Sequence, residues 1–339
     1  MRHAAYTLAE EARRWLAGSD QVPDVIFASS MLDLPQWRGH VGGPLAQRPA
    51  VVYFHENQLT HPLPSGQPID LHYGYTNILT ALAADAVWFN SAYHRDSFFP
   101  AADEALRRFP DYRHRDALQR VAPRAEVLYP GIDFPRTRRA AELSSPVSSP
   151  QPLHLGWIAR WEFDKRPERL LEVLTALRAR ALPIQLTVLS KPTRASQPLW
   201  DRLQREFAAE LAFAGYAPTR QDYAKRIGML EGVLSTAAHE FFGIAIAEAA
   251  AAGVIPVVPN ELAYPELYGG ERPVALFHDG SVATIVNQLD QLAQLRRDPH
   301  QLGVFQRALR DRVAPLAWPQ QAARFDAGLS RLIAETSSD

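Results

Sequence analysis

Short apolar runs rich in β-branched and aromatic residues, each followed by a longer segment with helical spacing, recur along the whole 339-residue chain. They lie at residues 24–28, 50–54, 86–89 and 125–129, then at 153–158, 184–189, 211–214, 232–235, 255–258 and 274–277. Continuous rather than alternating apolar character means strands buried on both faces, and the helices between them cover those faces. The pattern predicts an α/β protein with parallel sheets, with helices over 75–85, 167–181 and 244–252 and an amphipathic closing helix over 318–334. The segment 142–152 is rich in Ser and Pro and has little to bury, so it reads as a linker. The expected organisation is one domain over 1–145, a linker over 146–152, a second domain over 153–315 and a closing helix over 316–339. A doubly wound sheet normally opens on a buried strand and a Gly-containing turn. Here a helix-like stretch over 6–15 comes first, so the amino-terminal sheet is expected to lack its first strand. A smaller sheet with a helical start is the alternative.

Composition narrows the function. The 36 Lys and Arg against 37 Asp and Glu leave a net charge of -1, which argues against nucleic-acid binding by bulk positive charge. With no cysteine, disulfides, thiolate catalysis and Cys-ligated metals are excluded. No apolar run approaches the roughly 20 residues of a membrane span, and the start lacks a signal-peptide core, so the expected location is the cytoplasm.

In open parallel sheets, ligands bind beyond the carboxyl ends of the strands, so the loops there carry the argument. After the run at 232–235 comes His239-Glu-Phe-Phe-Gly-Ile-Ala-Ile-Ala-Glu248, where Gly243 opens an Ala-rich helix and Gly253 ends it. A helix start offers free N–H groups and a positive dipole end, which suit a phosphate. Glu240 lies before that helix, against an apolar wall, and Glu248 lies inside it. After the run at 153–158, Arg160 and Lys165 could bracket a diphosphate, the first as a fork and the second as a point charge. In the amino-terminal half, Val51-Val-Tyr-Phe-His-Glu-Asn-Gln-Leu-Thr-His-Pro62 sets polar groups behind a strand, followed by Tyr73-Gly-Tyr-Thr-Asn77 and Phe89-Asn-Ser91.

The Glu240-to-Glu248 spacing with its flanking Phe-Phe-Gly resembles the E-x7-E motif of family-four retaining nucleotide-sugar glycosyltransferases of the GT-B fold. The YFHENQL, YGYxN, FNS and HEFFG strings together resemble a narrower group, the tRNA-queuosine α-mannosyltransferase family, from about residue 24 onward. That resemblance implies two Rossmann-like domains facing a cleft and mannose transfer from GDP-mannose to queuosine in tRNA, with retention. It implies catalytic roles for Glu240 and His55, and donor binding by Arg160, Lys165, Glu248 (on the ribose), Phe242 and Gly243. Gly215 and Tyr216 resemble the stretch beside the nucleobase, with strand-end packing the alternative, and Glu266 either touches the donor or caps a helix. Glu56, Asn57, Gln58, Tyr73 and Asn77 are acceptor-side candidates, the tyrosine also fitting a helix core. The Arg107-Arg108 pair and the Arg136-to-Arg139 cluster could meet tRNA or simply face water. No Asp-x-Asp box is present, so metal independence is expected, with no cofactor beyond the nucleotide-sugar substrate. Competing readings are a GT-B transferase acting on a small molecule or glycan, and an impaired sugar-nucleotide- or RNA-binding relative.

Overall fold

The computed structural model describes residues 3–19, 21–62, 71–111, 113–133 and 151–336. Most of the expected linker and the Arg136-to-Arg139 cluster lie outside them. The chain divides into two compact units, Met1–Pro130 with Pro319–Asp339, and Gly131–Trp318.

In the first unit the order is α1 (Ala4–Ala17), β1 (Ile26–Ser29), α2 (Leu34–Val41), α3 (Gly43–Ala46), β2 (Ala50–Phe54), α4 (Leu71–Ala83), β3 (Ala86–Phe89), α5 (Ala92–Arg107), α6 (Arg115–Val121) and β4 (Ala125–Val127). The four strands are parallel and run β1-β2-β3-β4, so the first strand is an edge and the order never reverses among the described residues. Every residue of β2 is buried. Val52 and Phe54 face a core with Leu34, Ile78 and Phe98 from α2, α4 and α5. Val51 and Tyr53 face the other way, onto Trp88 and Leu332. Leu332 belongs to the last helix of the chain (Trp318–Thr336), which was expected as a separate closing segment. That helix instead supplies the second cover of the first sheet, and Arg331 anchors it on the Glu126 carboxylate at 2.6 Å.

The second unit contains β5 (Leu153–Ile158), α7 (Pro167–Ala179), β6 (Ile184–Leu189), α8 (Gln197–Glu206), β7 (Leu211–Gly215), α9 (Arg220–Ile227), β8 (Gly232–Leu234), α10 (Ile244–Ala251), β9 (Ile255–Pro259), α11 (Tyr264–Tyr268), β10 (Leu276–His278), α12 (Val282–Leu295) and α13 (Pro299–Val313). The last helix of the chain is therefore α14. Six parallel strands run β10-β9-β8-β5-β6-β7. The chain first builds outward from β5 through β6 to β7, then returns to the other side of β5 with β8. The strand order thus reverses between β5 and β8, and this switch point opens a crevice at the strand ends where ligands can enter. All four C-terminal residues of β5 are buried, and Trp157 and Trp161 pack edge to face at 5.1 Å in the core.

Gly328 shows how tightly α14 covers the first sheet, since a Cβ there would stand 2.7 Å from the buried Trp88 ring. Gly328→Val should overpack this contact and lower unfolding stability by about 1–3 kcal/mol, measured by urea denaturation.

Candidate functional site

An open pocket of about 230 Å³ lies at the β5/β8 switch point. Its walls come from the residues after β5 (Arg160, Lys165), those after β8 (Thr236, Glu240) and the first residues of α10 (Ile244, Ala245, Ile246), with Tyr264 behind. Gly243, also in the wall, has φ +79°, which strains any side-chain-bearing residue, and a Cβ there would crowd the Tyr264 ring at 3.0 Å. The first backbone bond of the helix runs from the Ala247 N–H to the Gly243 carbonyl at 3.0 Å. The N–H groups of Ile244, Ala245 and Ile246 therefore precede the intrahelical ladder, and no side chain caps Gly243. These donors and the dipole end suit an anion.

Lys165 stands at the centre of the site. Its side chain is only 11% exposed, and Nζ donates to the His239 carbonyl at 2.7 Å while lying 3.1 Å from both Glu240 Oε2 and Asp164 Oδ2. The turn that drives it inward puts Arg166 in the left-handed region at φ +49°, a strained conformation for a side-chain-bearing residue. Thr236 holds that turn by donating to the Lys165 carbonyl at 2.7 Å, and the Trp157 indole N–H donates to Thr236 Oγ1 at 3.0 Å. The Ala238 N–H closes the link on the Asp164 carbonyl at 2.8 Å. The two loops at the switch point are thus one hydrogen-bonded unit. Arg160 behaves differently: its side chain is 65% exposed and pairs with Glu162 at 3.2 Å.

A buried polar chain backs the pocket. Ser235 Oγ bonds Tyr264 Oη at 2.8 Å, and the Ser235 carbonyl meets His278 Nε2 at 3.1 Å. The Gly280 N–H donates to His278 Nδ1 at 3.0 Å, which leaves the proton of the neutral ring on Nε2. Burial lowers the His278 pKa to about 4. Burial, and then the Glu240 charge, push both the Tyr264 and Tyr268 phenols well above the usual tyrosine range.

The other expected donor residues spread around this centre. Glu248 does not line the pocket; it is buried in α10 and bonded by Arg220 and Tyr223. Phe242 is buried beside Gly243. Gly215 ends β7, where its carbonyl accepts from the Ser190 N–H at 3.0 Å, and Tyr216 is 72% exposed; neither lines the pocket. Glu266 sits half-buried in the first turn of α11 and is not its N-cap, which is Ala263.

In the first unit, the candidates divide into scaffold and exposed groups. Asn57 is fully buried, and its Oδ1 accepts from the N–H groups of Leu59 and Thr60 at 2.9 and 3.1 Å. Asn77, also buried, accepts from the Gln58 N–H at 2.9 Å and donates to the Ser30 carbonyl at 2.7 Å. Both asparagines hold the loop. Asn90 adds a bond to the His55 carbonyl at 2.9 Å. His55 is exposed with its ring edge-on to Tyr53 at 4.6 Å, and burial of its inner side lowers its pKa. Glu56 and Gln58 are half-buried, and Tyr73 is half-buried against the His72 ring at 5.3 Å. Arg107 pairs with Asp103 on α5 at 2.8 Å. Among the described residues, no cluster of three metal-ligating His, Asp or Glu side chains forms, and no helix is long and apolar enough to cross a membrane.

Sequence reasoning missed Asp164, Thr236, Tyr264, Arg220 and Tyr223. Tyr264 had a signal, its Tyr-Pro-Glu setting after a strand. Nothing in the spacing linked Arg220 or Tyr223 to Glu248.

Residues 1–132 match the family described as tRNA-queuosine alpha-mannosyltransferase N-terminal, and residues 144–308 match glycosyl transferases group 1. The chain is similar to the tRNA-queuosine alpha-mannosyltransferase of Drosophila melanogaster, with 34% identity over 252 residues, 73% of this chain and 66% of the fly protein. It thus spans 66% of the length of that relative. Among solved structures it is similar to TarM, with a TM-score of 0.67 and 12% identity, covering 96% of this chain and 58% of TarM. It is also similar to Anabaena Alr3699/HepE in complex with UDP and glucose, with a TM-score of 0.66 and 17% identity, covering 96% of this chain and 81% of that one. A third is the structure of E. coli trehalose-6-phosphate bound with UDP-2-fluoro glucose, with a TM-score of 0.69 and 16% identity, covering 96% of this chain and 76% of that one. At these identities the likeness is one of fold, and the two parallel-sheet units are those of the GT-B glycosyltransferases.

Three outcomes follow from the burial. Lys165→Met strands the Asp164 and Glu240 carboxylates and should cost about 3 kcal/mol or more of stability. Arg160→Ala removes only an exposed ion pair and should stay within about 0.5 kcal/mol of wild type in the same denaturation experiment. His278 titrates at about 4 folded against an ordinary 6.5 unfolded, so the unfolded chain takes up the proton first as pH falls. Stability should be unaffected by this group above pH 6.5 and drop by on the order of 3 kcal/mol between there and pH 4. His278→Gln should flatten that part of the stability–pH curve.

Proposed function

We propose, from its similarity to the tRNA-queuosine α-mannosyltransferase family, that the chain transfers a mannosyl group from GDP-mannose to queuosine in tRNA, with retention and without a metal ion. The observation that carries this reading is the convergence, at the β5/β8 switch point, of a free helix start, the Lys165 ammonium and the Glu240 carboxylate in one pocket. A nucleoside diphosphate leaving group gains negative charge as its bond to the sugar breaks. The α10 N–H groups, Lys165 and the exposed fork of Arg160 meet that charge. Glu240 lines the same pocket, where its carboxylate is assigned to accept from sugar hydroxyls. The acceptor hydroxyl attacks the anomeric carbon from the face the diphosphate leaves, and its proton passes to the departing phosphate oxygen. Positioning and fixed charge then supply the rate enhancement, with no covalent enzyme intermediate. The fly relative's name supplies mannose and queuosine, and UDP bound to HepE supports a nucleoside diphosphate as the donor class. His55, Glu56 and Gln58 are the exposed or half-buried first-unit groups kept as candidates in this reading.

The test is incubation with GDP-mannose and tRNA, with and without queuosine, followed by nucleoside mass spectrometry. A mannosyl adduct on queuosine alone is the expected result; labelling that ignores queuosine would assign another acceptor. Glu240→Gln should lower kcat by about 10²-fold or more with the fold intact. Arg160→Ala should lower kcat/KM by a factor on the order of 10² without a change in Tm.

A further inference from the structure

The Glu248 carboxylate, 10% exposed, is held by two side chains of α9. Arg220 Nη2 donates to Oε1 at 2.5 Å and Tyr223 Oη donates to Oε2 at 2.8 Å. The start of α9 is itself fixed. Thr219 Oγ1 accepts from the Asp222 N–H at 3.0 Å and donates to the Asp222 carboxylate at 2.7 Å, a reciprocal cap. Arg220 is gripped further by the Tyr223 ring, whose centre is 5.2 Å from the guanidinium carbon, and by Asp133 at 3.5 Å. Burial and the Glu248 charge push the Tyr223 phenol above its ordinary range, so it remains a donor. A long, half-exposed arginine loses roughly 2 kcal/mol of rotamer freedom when ordered. Three separate contacts keep this one in place.

A carboxylate offers about four lone-pair directions, two on each oxygen. The two α9 donors occupy one on each, which leaves acceptor capacity on both oxygens. Two adjacent acceptors match a vicinal diol. We propose that Arg220 and Tyr223 are positioning residues for the nucleotide, orienting Glu248 so that its remaining acceptors receive the ribose diol. This rests on the reading that α10 binds a nucleoside diphosphate and that Glu248 meets its ribose.

The test is calorimetric titration of the full chain with GDP and with 2′,3′-dideoxy-GDP, using wild type, Arg220→Ala, Arg220→Lys and Tyr223→Phe. Hydrogen bonds to a charged group imply that wild type prefers GDP by about tenfold or more. Arg220→Ala and Tyr223→Phe should reduce that preference to about threefold or less, while affinity for the dideoxy nucleotide moves by less than about twofold. Arg220→Lys should recover part of the preference. A merely structural role would weaken both nucleotides together and keep their ratio, which overturns the proposal. Equal wild-type affinity for the two nucleotides overturns it as well, while leaving the phosphate-binding part of the functional reading intact. If wild type binds neither, the ADP and UDP pairs are titrated, since the ribose is common to them. Binding of one of these with the same variant pattern supports the proposal and corrects only the base; binding of none removes the nucleotide reading and this proposal together.

Discussion

A buried ammonium organises the second unit. Lys165 is shared by the Asp164 and Glu240 carboxylates and the His239 carbonyl, so the loop after β5 and the loop after β8 cannot move independently. Removing a charge from water is expensive, and it is sustained here because each partner supplies an acceptor within 3.1 Å. The same contact sets where Glu240 points in the pocket. Stability and site geometry rest on one group, which is why Lys165 and Arg160, alike on paper, are expected to respond so differently to substitution.

Around that charge, the surroundings are built to be rigid. Gly243 allows the left-handed turn that aims the start of α10 into the pocket, and Tyr264 fills the space its missing Cβ leaves. The alanines of α10 let it lie deep, with Ile246 through Ala251 all buried. Behind it, Ser235 joins Tyr264 to His278 through its hydroxyl and its carbonyl. A neutral histidine with both ring nitrogens engaged is a good structural strut at neutral pH and a liability in acid, where protonating Nδ1 would break the Gly280 bond.

The first unit solves a different problem. Its β2 strand is buried on both faces, with helices on one side and α14 on the other. The loop after β2 carries His55 outward because three asparagines absorb its backbone groups: Asn57 within the loop, Asn77 from α4 and Asn90 after β3. Two of the three sit among the residues that looked like ligands in the sequence. A polar side chain after a strand satisfies a buried backbone as readily as a substrate, and residue type alone does not separate the two uses.

The sequence by itself determined the α/β class, the parallel sheets, and the strand-end loops that line the pocket after β5 and β8. Apolar runs such as 50–54 and 153–158 are local, and their period and length report burial on both faces without knowledge of any partner. The glycine at 243 and the spacing of Glu240 from Glu248 were legible for the same reason, since a turn and a helix start are written in adjacent residues. Only the tertiary structure decided that α14 belongs to the first sheet, since Leu332 meets Tyr53 and Trp88 across most of the chain. It alone decided that Lys165 is buried while Arg160 is exposed, and that Glu248 is clamped by Arg220 from 28 residues away. Charges interact through space, and the distance between them is set by how the strands are ordered in the sheet, which no local pattern of residues encodes.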